Sequence, residues 1–342
     1  MVELNGKKIL VTFLMHLGDL TLTTPFIHAL RKAAPDAHIT MLVDEKLKDV
    51  VLFNPYLDEV VTIDKKGRDN SILSLWACSR HLSKLDFDVL INLHPNERCS
   101  FIDAMTSVKL RTGTTHKIFK WFWDVFTPLD RSMHAADMYL DVLQQLGVQD
   151  LSSNGLEIFP GEEHFLEAEL FWQEQNITDQ DKLIGFNIGS AVPTKRWPPE
   201  RFAEVADIFA AKGYKTVFFG GPMDEEMVAE ATGYMQTRPI IATGHFAIGG
   251  LAAAMRRCCL IITNDSGPMH VAISQKVPIV AMYGPSNPKL YGPYTKDAVI
   301  VTAQPPCQGC ADGMKHSCDD LQCMSRMTVE QVVAAAEKML NK

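Results

Sequence analysis

The chain reads as an α/β protein built from two doubly wound parallel sheets in tandem. Three observations carry that reading. Its 342 residues exceed one ordinary core and suit two domains of about 150 residues each. β-Branched apolar runs alternate with segments of helical period, the pattern of βαβ units feeding a parallel sheet. The whole alternation then occurs a second time.

In the first half the expected order is strand KILVTFL (8–14), helical segment 20–34, strand HITMLV (38–43), a short helix, strand EVVTI (59–63), helical segment 72–85 and strand DVLINL (88–93). The opening KKILVTFLM mimics an export signal, but its apolar stretch is followed by His16 and Asp19 and no small-residue cleavage site, so a first strand is expected. Turn formers in SNGLEIFPGEE (153–163) mark the join, dividing the chain into 1–160 and 161–327, with a helix over 163–176. The second half gives LIGFNI (183–188), helix 199–212, KTVFFG (215–220), helix 223–235, PIIAT (239–243), helix 248–257, CLIIT (259–263), helix 268–275, PIVAMYG (278–284) and AVIVT (298–302). A last helix, within 328–342, starts at Thr328 with Glu330 and Gln331 behind it, and one expectation is that it packs back across the domain interface.

Hydrophobic content of 46% and charged content of 22% are globular values and exclude a disordered or fibrous class. A net charge of −8 argues against a general nucleic-acid binder, so any anionic ligand must meet a local basic patch. No apolar run approaches the ~20 residues that span a bilayer. A cytoplasmic protein, at most peripheral to a membrane, is expected. Its eight Cys are then expected as thiols or metal ligands rather than disulfides.

In open parallel sheets ligands bind beyond the carboxyl ends of the strands, so the strand-to-helix turns are the places to look. The first, LMHLGDLTLTTP (14–25), has one glycine and no G-x-G-x-x-G, which removes the main support for a dehydrogenase. Asp19 in this turn is either a helix N-cap or a general base. In NIGSAVPTKRWPPERF (187–202), Gly189 and Ser190 allow close backbone approach to an anion while Lys195 and Arg196 bring positive charge. A solvated basic loop anchored by Trp197 is the alternative. Asp224 or Glu225 in GGPMDEEM (220–227) suits ribose hydroxyls or a helix cap. Phe246 in TGHFAIGGL (243–251) suits a base or the core.

NDSGPMHV (264–271) is the densest stretch. Ser266 and Gly267 begin a helix with free N–H groups, Asp265 projects from a strand end, and His270 lies one turn on, on the same face as Ser266. That set suits a sugar joined to a phosphate. An Asp cap with a satisfied histidine explains only two of the four residues. YGPSNPKLYGPY (283–294) adds a rigid loop at another strand end, and five loops then converge on one nucleotide-diphosphate ligand.

With GDLTLTTPFIHALRKAAPDAHITMLV, PTKRWPPERFAEVA, FFGGPMDEE and NDSGPMHVAISQKVPIVAMYGPSNP in view, the chain resembles the family 9 glycosyltransferases, the bacterial heptosyltransferases of the lipopolysaccharide inner core, over nearly its whole length. K-R-W-P is similar to the enzymes that add the second heptose. The resemblance implies a GT-B fold, with two Rossmann-like domains facing a cleft. Residues 1–160 would take the acceptor, and the C-terminal domain would take ADP-L-glycero-D-manno-heptose. By the same resemblance Gly189, Ser190 and Lys195 contact the diphosphate or sugar, Asp224 the ribose, Phe246 the adenine, and Asp265 the heptose hydroxyls. The Ser266 and Gly267 amides meet phosphate with His270 beside them, and Asp19 is the base. Ala191 and Val192 depart from the hydroxyl residues of related enzymes.

The chemistry so implied is inverting transfer, with Lys195 and the helix-start amides steadying the departing diphosphate. No Asp-x-Asp stands at a strand end to hold a metal, so no metal or other cofactor is expected to be required for catalysis. The other readings are a family member using a different nucleotide sugar, and a non-catalytic nucleotide-sugar binder.

KLRTGTTHKIFKWFWDVF (109–126) interleaves Lys109, Arg111, Lys117 and Lys120 with Phe119, Trp121, Phe122 and Trp123. Lys117 and Lys120 are the acceptor candidates, facing a lipopolysaccharide precursor at the inner face of the cytoplasmic membrane. A buried helix with a charged outer face is the alternative. Cys307, Cys310, Cys318 and Cys323 in PCQGCADGMKHSCDDLQCM (306–324) suit a structural zinc, or else free thiols or disulfides formed after purification.

Overall fold

A computed structural model describes residues 2–303, 318 and 321–342. The chain divides into two compact units, Met1–Phe159 and Pro160–Lys342.

The first unit holds strands β1 (Lys8–Thr12), β2 (His38–Asp44), β3 (Glu59–Ile63), β4 (Phe87–Asn92), β5 (Val108–Gly113) and β6 (Val125–Phe126). They lie in the order β3-β2-β1-β4-β5-β6, and every pair is parallel. Ile9, Leu10 and Val11 are wholly buried, as they must be on a central strand covered by helices on both faces. Leu10, Leu42, Leu82, Leu90 and Ile102 belong to one apolar cluster of this unit.

The second unit repeats the arrangement with β7 (Leu183–Asn187), β8 (Lys215–Phe219), β9 (Ile240–Ile241), β10 (Cys258–Asn264), β11 (Ile279–Met282) and β12 (Ala298–Val301). Its order is β12-β11-β10-β7-β8-β9, again all parallel. Counted within each unit, both sheets are 3-2-1-4-5-6. In each, the strand order reverses between the first and fourth strands, β1/β4 and β7/β10, and ligand crevices open at such reversals.

The last helix, Val329–Leu340, is capped by Thr328 with Gln331 completing a capping box. It packs on β10, β11, β12 and helix Pro199–Ala211, and Val332, Ala336 and Met339 join the core of the second unit.

The expected helix over 20–34 is two helices, Leu17–Thr21 and Thr24–Ala33. Thr23 Oγ1 and Thr24 Oγ1 donate to the Leu20 and Thr21 carbonyls at 2.7 and 2.8 Å, and Pro25 supplies no N–H. Hydroxyls that bond back to the preceding turn, followed by proline, interrupt the helical ladder.

Candidate active site

In the second unit, β7 and β10 end side by side, with Asn187 opposite Thr263. Two asparagines lace the loops that follow. Asn187 Nδ2 donates to Thr263 Oγ1 at 2.9 Å and to Ser266 Oγ at 2.8 Å. Asn264 Nδ2 donates to the Ile188 carbonyl at 2.7 Å, while its Oδ1 accepts from Trp197 N at 3.1 Å. Trp197 is the core anchor of its loop: it is wholly buried, and its Nε1 donates to the Met327 carbonyl at 3.1 Å.

This lacing fixes where the candidate residues stand. Asp265 is buried and its Oδ2 lies 2.7 Å from Lys195 Nζ; Ser286 Oγ donates to the same oxygen. Lys195 closes a short turn, Pro193–Lys195, and so reaches across from the β7 loop to the β10 loop. Ser190 Oγ donates to the Asp265 carbonyl at 3.5 Å and accepts from Val192 N at 3.3 Å. Arg196 donates to the Ser190 carbonyl at 2.9 Å, so its charge holds the loop together. Ser266 is the N-cap residue of helix Gly267–Ser274, yet no side chain caps that helix. His270 is buried in its first turn. Tyr283, at the end of β11, is buried beside Asp265; burial first, and then that carboxylate, push its hydroxyl well above the usual tyrosine range.

Asp224 closes the short turn Pro222–Asp224 and makes no side-chain capping bond to helix Glu225–Tyr234. Its Oδ2 accepts from Gly221 N at 2.9 Å and it is nearly buried. A Cβ at Gly189 would stand 2.1 Å from Asp224 Oδ1, so glycine is needed there for the carboxylate as much as for any ligand. Phe246 is half-buried, with its ring 5.1 Å from Phe171 and 4.7 Å from His245. Asp265, Ser190, Asp224 and Phe246 therefore follow β10, β7, β8 and β9, four neighbouring strands taken in order. Three strand spacings cover about 14 Å.

In the first unit, Asp19 lies inside the first turn of helix Leu17–Thr21, whose N-cap is His16, so Asp19 is not the cap. Its Oδ2 is 3.6 Å from His16 Nδ1 and its side chain keeps a quarter of its surface, 25%, open to solvent. The β1 turn that carries it is tied down by Lys65, whose Nζ donates to the Leu14 carbonyl at 2.6 Å and pairs with Asp44 at 3.0 Å. His94, just past β4, packs on Phe13 at 5.5 Å. Burial, helped by the positive charge of Lys65, lowers its pKa to about 4, against a smaller opposing pull from Asp19. Below this turn Asp103 is wholly buried. Thr12 Oγ1 donates to it at 2.8 Å, and burial raises its pKa to about 8.

Lys117 and Lys120 belong to the exposed turn Lys117–Phe122, in which no residue is buried, so the buried-helix alternative is overturned. The physical reason is that Trp123 alone turns inward, donating Nε1 to the Thr112 carbonyl at 3.0 Å, while Trp121 is 94% exposed. Lys120 Nζ sits 4.3 Å over the Phe126 ring. Of the four-cysteine cluster, Cys307 and Cys310 lie outside the described residues. Cys323 is buried and Cys318 half-buried. Among the described residues no group of three or more His, Cys, Asp or Glu is arranged to hold a metal ion, and no helix is long and apolar enough to cross a membrane.

Sequence reasoning missed Asn187, Asn264, Tyr283, Ser286, Lys65, His94 and Asp103. The signal for two of them was present: Asn187 and Asn264 both end strands, where a polar residue after an apolar run has to find its partner beyond the sheet.

The family model "Glycosyltransferase family 9 (heptosyltransferase)" matches residues 75–318. A crystal structure of the glycosyl transferase family 9 from Veillonella parvula DSM 2008 is 53% identical, covers 99% of each chain and superposes with a TM-score of 0.95. The structure of E. coli ADP-heptose lps heptosyltransferase II, 21% identical, covers 98% of each chain with a TM-score of 0.81 and shares the fold of two parallel sheets. Lipopolysaccharide heptosyltransferase 3 of Escherichia coli (strain K12) is 24% identical over 341 residues, covering 94% of this chain and 95% of its own. Its fold is therefore GT-B and the chain is an enzyme, a member of glycosyltransferase family 9.

Proposed function

We propose that this enzyme transfers L-glycero-D-manno-heptose from ADP-heptose to the inner core of a lipopolysaccharide precursor, with inversion at the anomeric carbon. The relatives named for heptose transfer support the donor. The observation that carries the reading is the order of side chains along the strand ends of the second unit: Asp265 with Lys195, then Ser190, then Asp224, then Phe246. Sugar, diphosphate, ribose and base follow one another in the same order in an extended nucleotide sugar.

Asp265 accepts from heptose hydroxyls, and Lys195, already held at 2.7 Å from it, turns its charge to the adjacent phosphate. The uncapped start of helix Gly267–Ser274 adds backbone N–H donors to the same phosphate. Together they stabilise the negative charge that develops on departing ADP, which is the work a divalent metal does in other transferases, so turnover needs no metal. Asp19 takes the proton of the acceptor hydroxyl as that oxygen attacks the anomeric carbon from the face opposite ADP. The nearby His94, with its pKa at about 4, stays neutral at pH 7 and does not compete as an acid. Lys117 and Lys120 meet the anionic acceptor, and the enzyme works in the cytoplasm, in peripheral contact with the inner membrane.

The test is a turnover assay with ADP-heptose, other nucleotide sugars and chelator, read by mass spectrometry of the acceptor. Mass gain of one heptose from ADP-heptose alone, undiminished by chelator, is the expected result. Transfer of another sugar, or none from any donor, would refute the donor assignment.

A further inference from the structure

The first unit carries two acid-free segments, 71–85 and 108–123, that present large apolar side chains to solvent. On helix Ile72–Ser83 these are Ile72, Leu73 and Trp76, exposed by 73%, 79% and 51%. On the turn Lys117–Phe122 they are Ile118, Trp121 and Phe122, exposed by 59%, 94% and 46%. Both segments flank helix Glu97–Met105: it packs on helix Ile72–Ser83, and its Phe101 ring meets Phe119 edge-on at 6.2 Å.

Neither set is a displaced core. Helix Ile72–Ser83 buries Leu75, Ser79 and Leu82 on its other side, and the second segment buries Trp123. Single exposed apolar residues are ordinary, but two groups of three on one layer call for a partner. Within the two segments themselves every charged side chain is basic, although exposed Glu97 of the intervening helix lies 3.9 Å from His116. Arg80, His81 and Lys84 follow the first group, with the Arg80 guanidinium 5.7 Å over the Trp76 ring; Lys117 and Lys120 are interleaved with the second.

We propose that the two segments form one docking face for an anionic bilayer, with helix Ile72–Ser83 as its second anchor. This rests on the glycolipid-acceptor reading above. Tryptophan and aliphatic side chains enter the headgroup boundary, while Lys and Arg stems lie along apolar surface with their charges among lipid phosphates. The chain carries −8 overall and is repelled by an anionic surface except where such a patch faces it. A second copy of the chain fits poorly, because a twofold interface would set this patch against itself, cation to cation.

The experiment uses the full chain with vesicles of phosphatidylcholine alone and vesicles enriched in phosphatidylglycerol. The wild type is expected to co-sediment with the anionic vesicles and not with the neutral ones. Leu73→Glu with Trp76→Glu is expected to weaken that binding by about tenfold or more, since each takes an apolar side chain out of the headgroup boundary and adds a repelled charge. The same variant keeps wild-type turnover on a water-soluble, delipidated acceptor, which also shows that it folds. Lys117→Glu with Lys120→Glu weakens vesicle binding from the other segment. Unchanged vesicle binding in the Leu73→Glu, Trp76→Glu variant, or a concentration-dependent dimer that this variant dissolves, would overturn the assignment. Vesicle binding without heptose transfer sinks the activity reading alone; transfer to the soluble acceptor without vesicle binding sinks the docking face alone.

Discussion

Asp265 sits at the end of β10 between a lysine ammonium and a serine hydroxyl, and both partners are themselves shielded from water. Removing one member of such a pair leaves a buried charge without compensation. Asp265→Ala is expected to destabilise the second unit by about 3–5 kcal/mol, with much of the loss restored when Lys195→Met is added; a double-mutant cycle in urea checks this. Asp103 supplies a pH dependence. Its folded pKa of about 8 lies above that of an unfolded aspartate, so the folded state holds a proton the unfolded state has lost. Stability from this group is fully present below pH ~4 and drains away as pH rises to about 8. His94, lowered to about 4, acts in the opposite sense but only below the ordinary histidine pKa of about 6.5. Of these two groups, only Asp103 contributes a slope between pH ~6.5 and 8. Asp103→Asn is expected to flatten the fall in stability across that window, as followed by denaturant midpoints. None of this was legible in the sequence, because Thr12, Cys99 and Asp103 meet only once β1 and helix Glu97–Met105 are packed together.

The central strands were legible because their runs are continuous and apolar: all five residues of β7 are buried, and so are six of the seven in β10. β5 escaped notice. Its VKLRTG alternates with Lys109 and Arg111, so the charges dominate the pattern, and only the register with β4 identifies it as a strand. β6 is two residues long and carries no period at all, whereas β9, equally short, was found within PIIAT (239–243). Strand ends were easier to find than partners. The loops after β7 and β10 were singled out by composition, whereas the asparagine lacing between them is a tertiary fact. Trp197 is the element-scale test of that lacing. Trp197→Ala removes a wholly buried ring and the Nε1 bond to Met327, and is expected to cost about 3–5 kcal/mol and to loosen donor binding with it, by calorimetry with ADP. The C-terminal helix belongs to the same account. Deleting 328–342 strips Val332, Ala336 and Met339 from the second unit's core and should abolish its cooperative unfolding transition in calorimetric scans.

For the whole molecule, tandem repetition of a βα pattern implied two domains, and the chain does divide at Phe159/Pro160 into units whose sheets share one strand order. The sequence could not reveal that the repeat extends to strand order, since that depends on which helix crosses which face. The strand reversal falls at β1/β4 in one unit and β7/β10 in the other; Asp19 follows β1 at the first, and Ser190 and Asp265 follow β7 and β10 at the second. If the second unit holds the donor, ADP should slow hydrogen exchange in 188–198, 220–225, 243–247 and 265–270 and leave 16–22 and 93–96 as they were, measured by mass spectrometry on the intact enzyme. The most direct check separates holding the donor from using it. Asp19→Asn should bind ADP-heptose with wild-type affinity while transfer to the acceptor falls by about 10²–10⁴-fold. Transfer at the wild-type rate, or donor affinity lost together with transfer, would contradict Asp19 as the acceptor's proton sink.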